Sequence, residues 1–403
     1  MSEHQYFGRT YRDSERFNTP YLCKIPFTGF YIGPQGHIVL CCMAQGLHLG
    51  HINDIDDLEE FYNSPVMEKY RKQLEDKKYE TMNPCNLCYK KECVQKLWPF
   101  KKSIGAQYFD NFDSDWFARK EGKKVPLRYL EYTLSNICNA DCATCRSEWS
   151  SKWEKLDRKF GRKVSPMVKI EDKNIAKIEK ILYGLEHMTI KGGEPFADIR
   201  NIRVLKKLSE VNPKCYTTII SNFHVITPEA MNIIKKLGKI NCCASVDAVT
   251  NETYKWIRGG DLTKTTDNMK RYFQETGKRV TVNVFTSLYN FFLLDKIKDY
   301  FEDKDYIRAV NFNNYAINPI YISPSLLPEY IFNKQMEKLE TAFLHKNKAG
   351  GLNVIGTGWE DLGLPEENRK EMFFKEMDKM NKHRGFDLCD YIPELKDWKN
   401  GTL

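Results

Sequence analysis

Long hydrophobic runs are missing from this 403-residue chain. None approaches the roughly 18 residues that span a bilayer, so no membrane contact is expected. The opening stretch, MSEHQYFGRT, has no apolar core. A secretory signal is therefore not expected there, and a cytoplasmic location is. Charge of one sign is not gathered either. Lys+Arg number 62 against Asp+Glu 54, and the net +8 is scattered without a long like-charged block. That favours ordinary solubility over attraction to nucleic acid or an acidic partner. No internal repeat or low-complexity tract appears.

Cysteine, by contrast, is abundant. Of 13 cysteines, nine fall in two groups. With no signal, a disulfide framework is not expected; a reducing compartment is, where clustered thiols bind metal. The tighter group is Cys138, Cys142 and Cys145 in CNADCATC, directly after the strand-like run Leu127–Leu134. Such spacing lets thiolates of one loop converge on one metal centre. A 4Fe–4S cluster normally takes four thiolates. Only three are local here, and the first downstream cysteine is Cys215. One iron could then stay open to a ligand that is not protein. A structural zinc site with a fourth ligand from elsewhere is the alternative. The looser group lies in residues 1–104: Cys23, Cys41 and Cys42 shortly after Gly36, then Cys85, Cys88 and Cys93 in NPCNLCYKKEC. Four of these can enclose one cluster or one zinc ion. A redox dithiol at Cys85 and Cys88 fits less well, because the flanking pattern is not a strand–helix unit.

Residues 54–74 have apolar positions at helical spacing and predict a helix. Residues 105–126 read as a polar connector. From 127 to about 320 the pattern alternates strand and helix. Strands are predicted at Leu127–Leu134, Met188–Lys191, Tyr216–Ser221, Ile240–Val246, Val280–Thr286 and Ala309–Tyr315. Helices are predicted at Asn174–Tyr183, Ile199–Leu208, from Thr227, at Leu262–Thr276 and at Asn290–Phe301. This is α/β, with parallel βα units forming a partial barrel or an open doubly wound sheet. In both, ligands sit at the C-terminal strand ends. Those ends carry the cysteine loop, Lys191-Gly192-Gly193-Glu194-Pro195, Ser221-Asn222 and Ser245-Val246-Asp247, with Arg258-Gly259-Gly260 shortly after. Residues 321–403 read as helices, Pro328–His345 and Asn368–Lys382 among them, packing on the core or covering the site.

Gly192 and Gly193 have no β-carbon, so a ligand can approach their backbone closely. Freed N–H groups and the Glu194 carboxylate could hold a charged amino group; a tight turn with a surface glutamate is the bland alternative. Ser245 and Asp247 share a strand face. Arg258 could pair with a ligand carboxylate, or form a surface ion pair. Asn222 reads more naturally as a turn residue. Cys242 and Cys243 read as core. Trp149, Trp153 and Tyr254 read as packing, and His187 and His224 have no evident partner.

CNADCATC after the first strand, KGGEP after the second and SVD on the fourth together resemble the radical S-adenosylmethionine enzymes over residues 127–320. The resemblance implies a partial (βα)6 TIM-like barrel, with an N-terminal cysteine-rich domain and C-terminal helices added. It implies that Cys138, Cys142 and Cys145 ligate three irons of a 4Fe–4S cluster and that the fourth iron chelates S-adenosylmethionine. Gly192, Gly193 and Glu194 would hold the methionyl amino group. Ser245 and Arg258 would contact its carboxylate or ribose, with Asp247 supporting, and Asn222 is a weaker candidate contact. Reductive cleavage would give a 5′-deoxyadenosyl radical that abstracts a substrate hydrogen. In this family the residue before the third cysteine is often aromatic; here it is Thr144. The N-terminal cysteines resemble a SPASM or shorter twitch domain, in which Cys23, Cys41, Cys85 and Cys88 would ligate an auxiliary 4Fe–4S cluster. Cys42 and Cys93 would be spare or substitute for one ligand. Most relatives place that domain after the barrel, whereas here it comes first. By analogy the substrate is a peptide or protein side chain and the electron donor a reduced flavodoxin or ferredoxin type. A nucleotide, RNA or small metabolite is the alternative substrate, and a non-catalytic zinc scaffold the alternative class.

Overall fold

The computed structural model describes residues 5–6, 9–10, 23–44, 46–76, 78, 81–83, 85–86, 112–164, 170–312, 319–344 and 363–403. Cys88, Cys93 and Tyr315 lie outside them.

Six strands run parallel in chain order: β6 (Tyr129–Tyr132), β7 (His187–Ile190), β8 (Tyr216–Ser221), β9 (Ile240–Ser245), β10 (Val280–Val284) and β11 (Ile307–Phe312). Each pairs with the next, and β11 does not return to β6. The result is a partial, unclosed barrel. Strand β7 is buried along its length, as expected of a strand covered on both faces, while β8 alternates buried and half-buried residues. Cys242 and Cys243 on β9 are buried core residues.

Helices link the strands. These are α5 (Lys152–Lys159), α6 (Asp172–Ile181), α7 (Ile199–Val211), α8 (Pro228–Lys236), α9 (Asn251–Arg258), α10 (Leu262–Thr276) and α11 (Leu294–Phe301). Their starts follow local chemistry. The side chains of Thr227, Thr250 and Asp261 each accept a hydrogen bond from a backbone N–H in the first turn of α8, α9 and α10. α9 and α10 end on Gly259 and Gly277 in the left-handed conformation.

The N-terminal region is spliced into the same sheet. Strands β3 (Gly29–Ile32), β4 (His37–Val39) and β5 (Gly50–His51) form an antiparallel meander, and β3 pairs in parallel with β6. The sheet is thus nine-stranded, in the order β11-β10-β9-β8-β7-β6-β3-β4-β5. A separate ribbon pairs β1 (Gln5–Tyr6) with β2 (Arg9–Thr10). The helix expected over residues 54–74 is two: α2 (Leu58–Tyr62) and α3 (Pro65–Glu75). Pro65 lacks an N–H and restricts Ser64 to extended backbone, so the chain breaks there. The stretch expected to be a connector carries a helix, α4 (Phe112–Lys120), and its Asp115 pairs with Arg128 just before β6 at 2.9 Å.

At the C-terminus stand α12 (Glu329–Leu344), α13 (Glu366–Arg384) and α14 (Pro393–Asn400). α13 buries Arg369, Phe373, Met377 and Met380, three or four residues apart, on one face. Among the described residues no helix is long and apolar enough to cross a membrane.

Candidate functional site

The cysteine loop leaves the C-terminal end of β6 and is held on every side. Cys138 N–H donates to Ser151 Oγ at 3.2 Å, and Ser150 Oγ donates to the Ala140 carbonyl at 2.8 Å. Trp153 Nε1 donates to the Cys142 carbonyl at 2.8 Å. Trp153 therefore packs, as expected, but also fixes the loop. From the far side α9 reaches in: Ala143 N–H donates to the Ile257 carbonyl at 2.7 Å, and Cys142 Sγ to that of Arg258 at 3.4 Å.

The three thiols bear on one another. Burial, then the Cys142 charge, pushes the Cys138 thiol up to about 12. Burial, then Cys142 and Cys138, raises Cys145 further. Buried thiols in this arrangement stay protonated until a cation compensates them. Among the described residues no three His, Cys, Asp or Glu side chains converge on a single metal ion. An iron–sulfur cube binds each cysteine through a different iron and takes thiolate donors. The donor set fits that group.

The glycine turn at the end of β7 lies directly beneath the loop. Glu194 N–H donates to the Ile137 carbonyl at 2.7 Å, and Gly193 N–H to that of Trp149 at 3.2 Å. These two N–H groups are thus spent on the protein, not freed for a ligand. Gly192 and Gly193 have φ of +82° and +51°. A Cβ on Gly192 would stand 1.9 Å from Thr133 Cγ2, and one on Gly193 would stand 2.2 Å from the Ile137 carbonyl oxygen. The close approach that these two glycines permit on this side is to the chain's own loop.

Glu194 is buried, not the surface residue of the bland alternative. Its Oε1 accepts from the Phe196 N–H and the Ser221 hydroxyl, and its Oε2 from the Asn222 N–H at 2.7 Å. Oε2 retains acceptor capacity. Burial pushes this carboxyl up to about 7, against those hydrogen bonds. Asn222 is a turn residue whose Oδ1 accepts from the His224 N–H, but its Nδ2 also reaches Asn139 Oδ1 in the cysteine loop at 2.7 Å.

Asp247, buried beyond β9, accepts from Arg258 Nη1 at 3.0 Å and from the Phe285 N–H at 2.8 Å. Arg258 is 11% exposed at its side chain, so its pair is internal and not a surface one. Its Nε is buried with no partner among the described residues. Burial opposes the Arg258 charge, but Cys142 and Asp247 outweigh it. A buried donor left unmatched beside the loop is what a ligand carboxylate would satisfy. Ser245 ends β9 opposite Asn283, half-buried.

Several residues were invisible to sequence reasoning. Asp141, inside the loop, is bound by His383 and Arg384 at the end of α13, more than 240 positions away. His224 has a partner after all, the Tyr254 hydroxyl at 3.1 Å, and His187 meets Thr218 Oγ1 at 3.2 Å. Lys191 pairs with Glu131, and the Cys42 charge acts on it. Cys42, just past β4, lies towards the N-terminal end of β6, where its charge also acts on Tyr129. Cys23 precedes the short helix α1 (Ile25–Thr28), Cys41 follows β4, and Cys85 comes after α3.

The model of the radical SAM superfamily matches residues 132–300, and that of an iron–sulfur cluster-binding domain, SPASM, matches residues 23–89. No curated protein matches. Among solved structures the chain is similar to Streptococcus suis SuiB, with 18% identity over 68% of this chain and 62% of that one, at a TM-score of 0.39. Native anSMEcpe with bound AdoMet gives 17% identity over 56% and 63%, at 0.41. HydG from Carboxydothermus hydrogenoformans gives 14% over 59% and 57%, at 0.36. The chain thus spans less than two thirds of the length of these structures.

Proposed function

Since the chain belongs to the radical SAM superfamily and carries a SPASM cluster-binding domain, we propose that it functionalises a C–H bond of a peptide or protein side chain. Its two domains imply 4Fe–4S clusters and S-adenosylmethionine. When bound, the cofactor and its cluster supply reductive sulfonium cleavage and a 5′-deoxyadenosyl radical for hydrogen abstraction.

The observation that carries this reading is three mutually interacting thiols on a loop bonded to the Gly193-Glu194 turn, with an unmatched arginine donor beside them. Cys138, Cys142 and Cys145 would hold the open cluster. Glu194 Oε2 is the acceptor for the methionyl ammonium. Arg258, oriented by Asp247, is the donor for its carboxylate, with Ser245 at the neighbouring strand end. Asn222 ties turn and loop together. Trp153 and Ser150 fix the loop so that reacting groups do not drift. Cys23, Cys41, Cys85 and Cys88 would ligate the auxiliary cluster. A peptide substrate and a flavodoxin- or ferredoxin-type donor follow from the SPASM domain by analogy.

Anaerobic incubation with S-adenosylmethionine, dithionite and candidate peptides, followed by mass spectrometry, tests the reading. Replacing Cys138, Cys142 and Cys145 together by Ala is expected to abolish 5′-deoxyadenosine and to leave about half of the iron. Colourless, iron-free protein after anaerobic purification would return the zinc scaffold.

A further inference from the structure

Beside the loop stands a cation that makes no direct ion pair among the described residues. Arg146 directly follows Cys145 and is half-buried. Its guanidinium lies over the rings of Trp153 and Tyr321, 5.0 and 4.8 Å from their centroids. Nη1 donates to the Cys145 carbonyl. Nη2 is buried and meets no acceptor among the described residues. The carboxylates that act on Arg146 from nearby, Asp157 and Glu376, are both paired with Arg162. Arg162 stacks on the same two rings, at 5.7 and 5.6 Å. The Tyr321 hydroxyl is also buried and unpartnered among the described residues.

A cation packed between rings with one N–H pair unmatched is costly unless an anion completes it. A guanidinium and a phenol hydroxyl offer planar, directional donors suited to carboxylate. The two arrive from opposite ends of the barrel: Arg146 follows the first barrel strand and Tyr321 the last. Both stand beside the cysteine loop, since Arg146 directly follows Cys145 and its guanidinium meets the Tyr321 ring. Arg258, which approaches the loop at Cys142, is already assigned to the cofactor's carboxylate.

We propose that Arg146 and the Tyr321 hydroxyl form a subsite for a substrate carboxylate, an acidic side chain or C-terminus of a peptide. The proposal deepens the reading above and rests on it for the identity of the occupant as substrate.

The test uses full-length protein reconstituted anaerobically and saturated with S-adenosylmethionine. It is titrated calorimetrically with N-acetylglutamate amide, which carries one side-chain carboxylate, and with N-acetylglutamine amide, its neutral counterpart. The carboxylate probe is expected to bind about tenfold or more tightly than the neutral one. Arg146→Gln should remove that preference, Arg146→Lys should retain part of it, and Tyr321→Phe should weaken it a few-fold. No binding of the carboxylate probe, equal affinities, or a preference unchanged in both Arg146→Gln and Tyr321→Phe overturns the proposal. So does an Arg146→Gln protein that loses affinity for S-adenosylmethionine and keeps the probe, since the carboxylate served is then the cofactor's. If Arg146→Gln does not fold, Tyr321→Phe, which keeps the ring, decides. Wild-type protein that makes no 5′-deoxyadenosine with dithionite refutes the radical reading instead, whatever the calorimetry gives.

Discussion

Arg384 grips Asp141 twice, with Nη1 on the carboxylate at 2.9 Å and Nη2 on the backbone carbonyl at 2.8 Å. Its Nε holds the Trp256 carbonyl at 3.0 Å, and His383 Nε2 adds a contact to the same carboxylate. Burial works against the Asp141 charge, yet the hydrogen bonds and charges of Arg384 and His383 together outweigh it and hold the carboxyl below its usual range. The last turn of α13 is therefore part of the cysteine loop's support.

Arg384→Ala should destabilise the protein by about 1.5–3 kcal/mol, the range for hydrogen bonds to a charged group. It should also lower the iron retained after anaerobic reconstitution. Arg384→Lys should rescue little, because one ammonium cannot span three acceptors set at guanidinium geometry. Denaturant unfolding and iron analysis check both.

Gly193→Ala should cost more than its backbone strain of about 1–3 kcal/mol, because its Cβ meets a loop carbonyl that cannot yield. Gly277 has a similar positive φ, and a Cβ there would meet nothing within 4 Å. Gly277→Ala should thus show the strain alone. Equal losses for the two variants in thermal unfolding would mean that the turn does not press on the loop.

The raised Glu194 carboxyl has a pH signature in metal-free protein. Its folded value of about 7 lies above the ordinary 4.5. Between those values the folded state binds more protons, so stability is full at low pH and falls as pH rises towards 7. The change is about 3 kcal/mol in all. His187 and His224, lowered by burial to about 3 and about 4, act in the opposite direction. Comparing wild type with Glu194→Gln across this window cancels the histidines. The wild type should lose ground to the variant as pH rises, and a constant difference would contradict the buried carboxyl.

Asp247→Asn keeps an acceptor for the Phe285 N–H but strips Arg258 of its charge partner. S-adenosylmethionine should then bind the reconstituted protein about tenfold more weakly, corresponding to roughly 1.4 kcal/mol of lost orientation. Calorimetric titration measures it. Unchanged affinity would mean that Arg258 is positioned without its partner.

The barrel was legible because its signals are local. Tyr216–Ser221 and Leu262–Thr276 were bounded by their own turn and capping residues, and both ends agree with the structure. The cysteine loop, the KGGEP turn, Ser221-Asn222 and Asp247 stood out in the sequence by falling at consecutive strand ends. What remained hidden was long-range. Nothing near His383 or Arg384 marks them as partners of Asp141, and only the folded chain brings them together. The splice of β3 beside β6 left no mark either, since a four-residue strand looks the same in any sheet. At Gly192 and Gly193 a missing β-carbon marks a close approach but does not reveal that the chain's own loop makes it.

That splice has a consequence for how the chain can be taken apart. Residues 29–32 share a backbone ladder with residues 129–132, so the cysteines beside β4 are kept at a set separation from the loop by amide spacing and not by a hinge. A chain nicked between Glu75 and Phe112 would yield two pieces, each with a bare strand border. Such borders seek other chains when alone, so the pieces should survive only when made together.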